Sequence, residues 1–308
     1  MGNRILYSIF IYPLSRLPLP ILYFLSDCFY LILISVFPYR KKIVRSNLES
    51  AFPEKNKKEL RTIQRKFYRH FADLLAEGVK NISMGETELL KRFKVKNPEL
   101  LDELYKKNKS VLLVSGHYNN WEWLVAIQGK LFKHVPMGIG TPLSNRFWDK
   151  KLNECRSRFG MQIIEPKEVD QFYRDASDCI ATLILADQSP ANPRKSFWMS
   201  FLNQTTAVFF GPEMIANKYD QPVVFFHVIK KKRGYYEMEL ELLTDQPRAL
   251  SWGQITELHV KALEKIIQKE PAYWLWSHKR WKLDLPDDIL ALKKKQRTSF
   301  NARFTDKN

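Results

Sequence analysis

Residues 110–124 read Ser-Val-Leu-Leu-Val-Ser-Gly-His-Tyr-Asn-Asn-Trp-Glu-Trp-Leu, and they constrain the fold more than any other stretch. An apolar run over 111–114 is followed by the small residues Ser115 and Gly116. Then come His117 and a helical pattern carrying Glu122, Leu124, Ile127 and Leu131. The order predicts strand, loop, helix. It places His117 at the carboxyl end of a buried strand and Glu122 in the first turn of the following helix, where open α/β sheets gather their chemistry. Asn119 or Asn120 is expected to cap that helix, because an amide oxygen accepts an orphan backbone N–H. With the chain reversing between them, His117 and Glu122 are expected to meet. A carboxylate on one ring nitrogen fixes the tautomer and leaves the other nitrogen as a general base.

Spacing alone carries little weight. Six histidines and 33 acidic residues in 308 give roughly 0.6 His-x4-Glu pairs by chance. A second such pair, His259 and Glu264, falls in an expected helix over 255–268. There five residues at ~100° each leave the side chains roughly 140° apart. Context therefore separates His117 and Glu122 from His259 and Glu264.

The chain is long enough for one main domain with an appendage. Its net charge of +17 favours anionic partners: nucleic acid, an anionic membrane face or an acidic protein. Cys28, Cys155 and Cys179 are far apart and form no Cys-x-x-Cys pair, which argues against a disulfide framework or a zinc knuckle. A reducing, cytoplasmic setting fits the main domain.

Residues 17–37 hold one charge, Asp27, and are followed by Arg40, Lys41, Lys42 and Arg45. About 20 apolar residues suffice to cross a bilayer, and the basic flank would keep the carboxyl-terminal side in the cytoplasm. Pro18, Pro20 and the further apolar run over 5–14 leave a kinked or interfacial helix as the other form. No small-residue cleavage site precedes the basic cluster.

A long amphipathic helix is expected over 54–82, with a packing role. Short helices over 86–92 and 99–108 flank a strand at 93–95. Further strands are expected at 134–139, 161–164, 179–186, 223–229 and 235–242, and helices at 145–159, 210–219 and 255–268. The alternation predicts an α/β fold, a mostly parallel central sheet covered by helices, with an N-terminal membrane-associated helix. From Lys293 onward the sequence is basic and aperiodic, hence an expected loose tail.

Seven short blocks then coincide in order. They are Arg45-Ser-Asn-Leu-Glu-Ser-Ala-Phe-Pro53, Gly116-His-Tyr-Asn-Asn-Trp-Glu122, Gly138-Ile-Gly140, Arg156-Ser-Arg158, Ala186-Asp-Gln188, Gln204-Thr-Thr206 and Tyr273-Trp-Leu-Trp-Ser-His-Lys-Arg-Trp281. On these blocks the sequence resembles the bacterial lipid A late acyltransferases, the lauroyl and myristoyl transferases, within the lysophospholipid acyltransferase superfamily. The resemblance implies transfer of a fatty acyl chain from acyl carrier protein to a hydroxyl on a lipid A precursor, at the cytoplasmic face of the inner membrane. It implies His117 and Glu122 as the catalytic pair and no cofactor or metal beyond the acyl-carrier donor. The resulting division is a membrane-anchoring segment (1–45), an acyltransferase domain (46–285) and a basic tail (286–308).

Around that pair, backbone N–H groups near Asn119 and Asn120 are expected to face the developing oxyanion. Arg156 and Arg158 are expected to hold phosphate or sugar-acid groups of the acceptor, since guanidinium forks suit such oxyanions. Asp187 and Gln188, ending a buried strand, are expected at the same crevice, binding the acceptor headgroup or bracing the site. Trp121, Trp123, Phe209, Phe210, Trp274 and Trp276 are candidates for an acyl slot, with ordinary core as the alternative. The basic clusters at 40–45 and 230–233 are candidates for anionic inner-membrane lipids or the carrier protein.

Other classes fit poorly. No nucleic-acid-binding motif accompanies the charge. The Gly-x-Ser-x-Gly turn of a serine hydrolase is missing, and Gly138-x-Gly140 lacks the third glycine of a dinucleotide fingerprint. The nearest competitor is a same-fold acyltransferase with another acceptor, such as an aminolipid, a glycolipid or a pigment.

Overall fold

The computed structural model describes residues 2–36 and 39–304. A seven-stranded sheet forms the centre, with β1 at Phe93–Val95, β2 at Val111–Ser115, β3 at Val135–Ile139, β4 at Gln162–Ile164 and β5 at Ile180–Leu185. A separate antiparallel hairpin is made of β6, Phe197–Phe201, and β7, Gln204–Val208. The chain re-enters the sheet with β8, Val223–Lys232, and β9, Tyr235–Thr244. Strand order is β1-β9-β8-β2-β5-β3-β4. All neighbours pair in parallel except β8 and β9. The expected α/β class, mostly parallel and covered by helices, is the class observed.

β2 is central and buried over its whole length. Two-sided burial is why it reads as an unbroken apolar run rather than an alternating one. One core cluster lies where Trp123, Leu124 and Ile127 of the Trp121–Leu131 helix meet the sheet. A second contains Leu263 and Ile267 of the Gln254–Lys269 helix with Phe67, Trp274 and Trp276. The helix expected over 54–82 runs over Lys57–Asn81 and starts on a capping box, in which Asn56 accepts from the Glu59 N–H and the Glu59 carboxylate accepts from the Asn56 N–H.

Three expectations change. First, among the described residues no single helix is long and apolar enough to cross a membrane. The apolar start folds as a bent pair, Gly2–Arg16 and Leu19–Ser35, turning by 119°. Residue 37, the end of the expected span, lies outside the described residues. The break falls at Leu17-Pro18, where proline disfavours the helical region for the residue before it, and Leu17 is extended. Asp27 meets Arg233 at 2.8 Å and Arg69 at 3.1 Å, and Arg233 also meets Asp73 at 2.6 Å. The second helix is thereby tied to the domain. Lys230 is likewise paired with Asp73 at 3.2 Å and Lys231 with Glu237 at 3.2 Å, so three of the cations at 230–233 face protein carboxylates rather than an outside anion.

Second, the expected loose tail contains a helix, Ile289–Phe304, that buries Leu292 and Phe300 against the domain; residues 305–308 lie outside the described residues. Phe300 meets Phe210 at 5.9 Å between ring centroids. Third, the β6–β7 hairpin was not expected. Its turn uses Leu202 and Asn203 with φ of 49° and 61°, left-handed at both positions as a two-residue hairpin turn requires. Asparagine is common in such turns, whereas leucine hides the signal.

Candidate active site

The register of β2 on β5 builds the site. Ser115 pairs with Leu185, and the Ala186 N–H donates to the Ser115 carbonyl at 2.9 Å. The two strands therefore end level, and His117 and Asp187, each two residues beyond its strand, stand side by side. His117 Nδ1 is 2.6 Å from Asp187 Oδ1. Asp187 Oδ2 accepts from the His117 backbone N–H at 2.9 Å and from Trp274 Nε1–H at 2.7 Å.

Burial raises the Asp187 pKa, but the His117 charge and the hydrogen bonds from His117 and Trp274 outweigh it and hold the carboxyl near about 2. A carboxylate only accepts, so Nδ1 carries a proton, and in the neutral form of the ring Nε2 is the nitrogen that can accept one. The Gln188 amide nitrogen lies 3.3 Å from Nε2. Because this pKa falls on folding, the pair stabilises the fold above the unfolded carboxylate value of about 4. That contribution fades as pH drops toward about 2.

Gly116 makes the approach possible. A Cβ there would sit 2.9 Å from Asp187 Cγ and 2.9 Å from a Leu263 methyl, so any larger residue must displace the carboxylate. The loop is clamped from the other side. Leu275 N–H donates to the His117 carbonyl at 3.2 Å, and Asn119 N–H donates to the Tyr273 carbonyl at 3.0 Å. Asn120 caps the helix by accepting from Trp123 N–H at 3.0 Å.

Glu122 does stand in the first turn of that helix, but it does not touch His117. The Trp121 ring occupies the space beside the imidazole, edge-on at 5.0 Å between centroids. Glu122 instead receives a fork from Arg156, Nε to Oε2 at 3.0 Å and Nη2 to Oε1 at 2.5 Å, and also accepts from Trp121 Nε1–H at 3.1 Å. Burial works against the Arg156 charge, yet its bonds to Glu122 raise its pKa overall. Arg158 is held by protein carbonyls, donating to Met84 O at 2.9 Å, Ile82 O at 3.3 Å and Asn81 O. It closes the end of the Lys57–Asn81 helix and has little left to offer a phosphate. Asn119 N–H, being bound to Tyr273, is equally unavailable to an oxyanion.

A cleft of about 670 Å³ is lined by Asn119, Asn120, Trp121, Glu122, Gln188 and His278. Its apolar wall comes from Phe71, Leu74, Leu75 and Val79 of the Lys57–Asn81 helix, opposite Trp148 and Leu152. That long helix, expected only to pack, also shapes the cleft. Of the six aromatic candidates for an acyl slot, Trp121 lines this cleft, whereas Trp123, Trp274 and Trp276 are core. Trp274 has the further part of binding Asp187. Behind Asp187, the buried Arg280 donates to the Ala207 carbonyl at 2.7 Å. Neither Trp274 nor Arg280 was singled out for these contacts, although the block at 273–281 contains both.

The family described as bacterial lipid A biosynthesis acyltransferase matches residues 2–283. Two relatives are the lipid A biosynthesis palmitoleoyltransferase of Escherichia coli (strain K12) and the lipid A biosynthesis acyltransferase of Shigella flexneri. Each is 22% identical over 273 residues, covering 87% of both chains. The chain belongs to the bacterial lipid A biosynthesis acyltransferase family and is an acyltransferase.

Proposed function

We propose that the chain transfers a fatty acyl group from the thioester of acyl carrier protein to a hydroxyl of a lipid A precursor at the inner membrane, with His117 as general base. The observation that carries this reading is His117 held through Nδ1 by Asp187, with Gln188, whose amide lies 3.3 Å from Nε2, lining an apolar cleft. In the reaction Nε2 takes the hydroxyl proton while the oxygen attacks the thioester carbonyl carbon. The tetrahedral intermediate collapses with cleavage of the C–S bond, and the departing sulfur takes the proton back from Nε2. Asp187 remains a carboxylate throughout and stabilises the imidazolium. Donors to the oxyanion come from the Gln188 amide and from the start of the Trp121–Leu131 helix beyond Asn119.

Membrane placement belongs to the same reading. The bent N-terminal pair exposes large apolar side chains, among them Phe10 at 62% and Phe24 at 67%. Large apolar side chains exposed in such number along two adjoining helices mark an interaction surface. The pair lies in the bilayer interface, with the cleft opening beside it through Tyr7, so a lipid reaches His117 without leaving the membrane.

The test uses purified full-length protein in mixed micelles, labelled acyl carrier protein thioester and a hydroxyacylated lipid A precursor. The expected product is the precursor heavier by one acyl group, lost in His117→Ala. No transfer to this acceptor, with transfer to an aminolipid or glycolipid instead, would move the assignment to another acceptor class.

Glu122 and Arg156 form one unit in this proposal, holding the cleft end that receives the acceptor. Glu122→Ala and Arg156→Ala are each expected to reduce transfer at least about tenfold, because either leaves a charge partly buried and unpaired. The double variant should be no worse than the poorer single one. Multiplicative losses in steady-state rates would show that the two act separately.

A further inference from the structure

A second cavity lies beside the Lys41–Ala51 helix and the first turns of the Lys57–Asn81 helix. Its volume is about 460 Å³. Five cations line it: Lys41 and Arg45 from the first helix, and Lys57, Arg61 and Arg65 from the second. The one carboxylate on its wall, Glu49, is bound by Arg45 at 2.8 Å. Among the described residues the other four cations have no carboxylate within salt-bridge distance. The floor is apolar, made by Leu33 and Ile34 at the end of the Leu19–Ser35 helix together with Leu48 and Leu60.

Cations converging over an apolar floor, next to a helix that exposes Leu31 and Val36, match an amphiphile with a phosphate head. We propose that this cavity binds the headgroup phosphate of an anionic membrane lipid, whose acyl chains run along the exposed side of the Leu19–Ser35 helix. Guanidinium forks from Arg61 and Arg65 hold the phosphate oxygens, and the lysines add charge around them. The cavity shares no lining residue with the catalytic cleft, and the occupant proposed is a lipid of the surrounding membrane rather than the acyl acceptor. The site therefore orients the enzyme on its membrane. This inference rests on the membrane placement proposed above and not on the transfer chemistry.

Flotation of the full-length protein with vesicles tests both steps. One set is phosphatidylcholine alone, and the other contains about a third phosphatidylglycerol. Wild type is expected to bind both, and the anionic set at least about tenfold more tightly, since each cation near an anionic surface contributes severalfold. Arg61→Gln/Arg65→Gln should lose that gain and keep its binding to neutral vesicles. Lys42→Gln/Lys66→Gln removes the same charge from the same two helices outside the cavity and should lose less than about threefold. Equal losses in the two double variants would overturn the site in favour of a diffuse basic surface. Failure of wild type to float with either set would overturn the membrane placement itself. Stabilisation of lipid-free wild type by inorganic phosphate, abolished in Arg61→Gln/Arg65→Gln while vesicle binding is unaffected, would assign the site to a soluble phosphate and overturn the lipid.

Discussion

Asp187→Asn is expected to lower acyl transfer by about 10² to 10⁴-fold, the range that a positioned general base supplies, while the protein stays folded. The direction follows from which oxygen does what. Oδ2 accepts from two fixed donors, the His117 backbone N–H and Trp274 Nε1–H. An asparagine satisfies both by placing its carbonyl oxygen there, which turns its NH₂ toward Nδ1. Nδ1 must then accept, so the ring proton moves to Nε2 and the base is lost. Asp187→Glu keeps a carboxylate, but the space beside Gly116 is so tight that a Cβ there would already sit 2.9 Å from Asp187 Cγ, and another methylene lacks room. It should retain the tautomer with misplaced geometry and fall between asparagine and wild type. The readout is the steady-state rate with acyl carrier protein thioester, alongside thermal unfolding to verify the fold. An Asp187→Asn rate within tenfold of wild type would remove Asp187 from the mechanism.

Why Asp187 and not Glu122 holds the ring illustrates what a single sequence conveys here. The strand, the loop and the capped helix around His117 are local, and apolar runs with an asparagine cap specify them. The α/β class followed from the alternation of such units. The partner of His117 depends on the alignment of β2 with β5, some 70 residues apart, and no pattern within either strand specifies that register. The strand-loop-helix context and the family resemblance pair His117 with Glu122, but the Trp121 ring and Arg156 claim the space and the charge instead. The same limit applies at 230–233. Basic residues in a row read as a solvent or lipid face, and only the folded chain brings Asp27 and Asp73 to Lys230 and Arg233. Gln188 was legible for the reason Asp187 was: both follow a buried strand, and parallel sheets gather function at that edge.

The Leu19–Ser35 helix, the Trp121–Leu131 helix and strand β9 share one buried carboxylate, and its loss should be the most damaging to stability. Glu77, fully buried in the Lys57–Asn81 helix, accepts from the hydroxyls of Tyr23 and Tyr236 and from the Asn120 amide, each at 2.7 Å. Trp123 Nε1–H donates to its backbone carbonyl at 3.1 Å. Burial raises the Glu77 pKa, and the two tyrosine hydrogen bonds pull it back. Burial first, and then the Glu77 charge, raise the pKa of both tyrosines, so they remain phenols and donate. Glu77→Leu fills much of the space but leaves three donors unmatched, two of them buried and the Tyr23 hydroxyl half-buried. At about 1–3 kcal/mol for each the cost should be about 3 kcal/mol or more. That corresponds to a fall in thermal midpoint of roughly 5 °C or more for a chain of this size. Glu77→Gln should lie between the two, since its amide nitrogen faces at least one of the same donors. Transfer should fall as well, because Asn120 caps the helix that carries Glu122 and its own anchor is Glu77. Glu77→Leu with a midpoint within 2 °C of wild type, measured in matched detergent, would show that water or a rearranged Asn120 satisfies those donors instead.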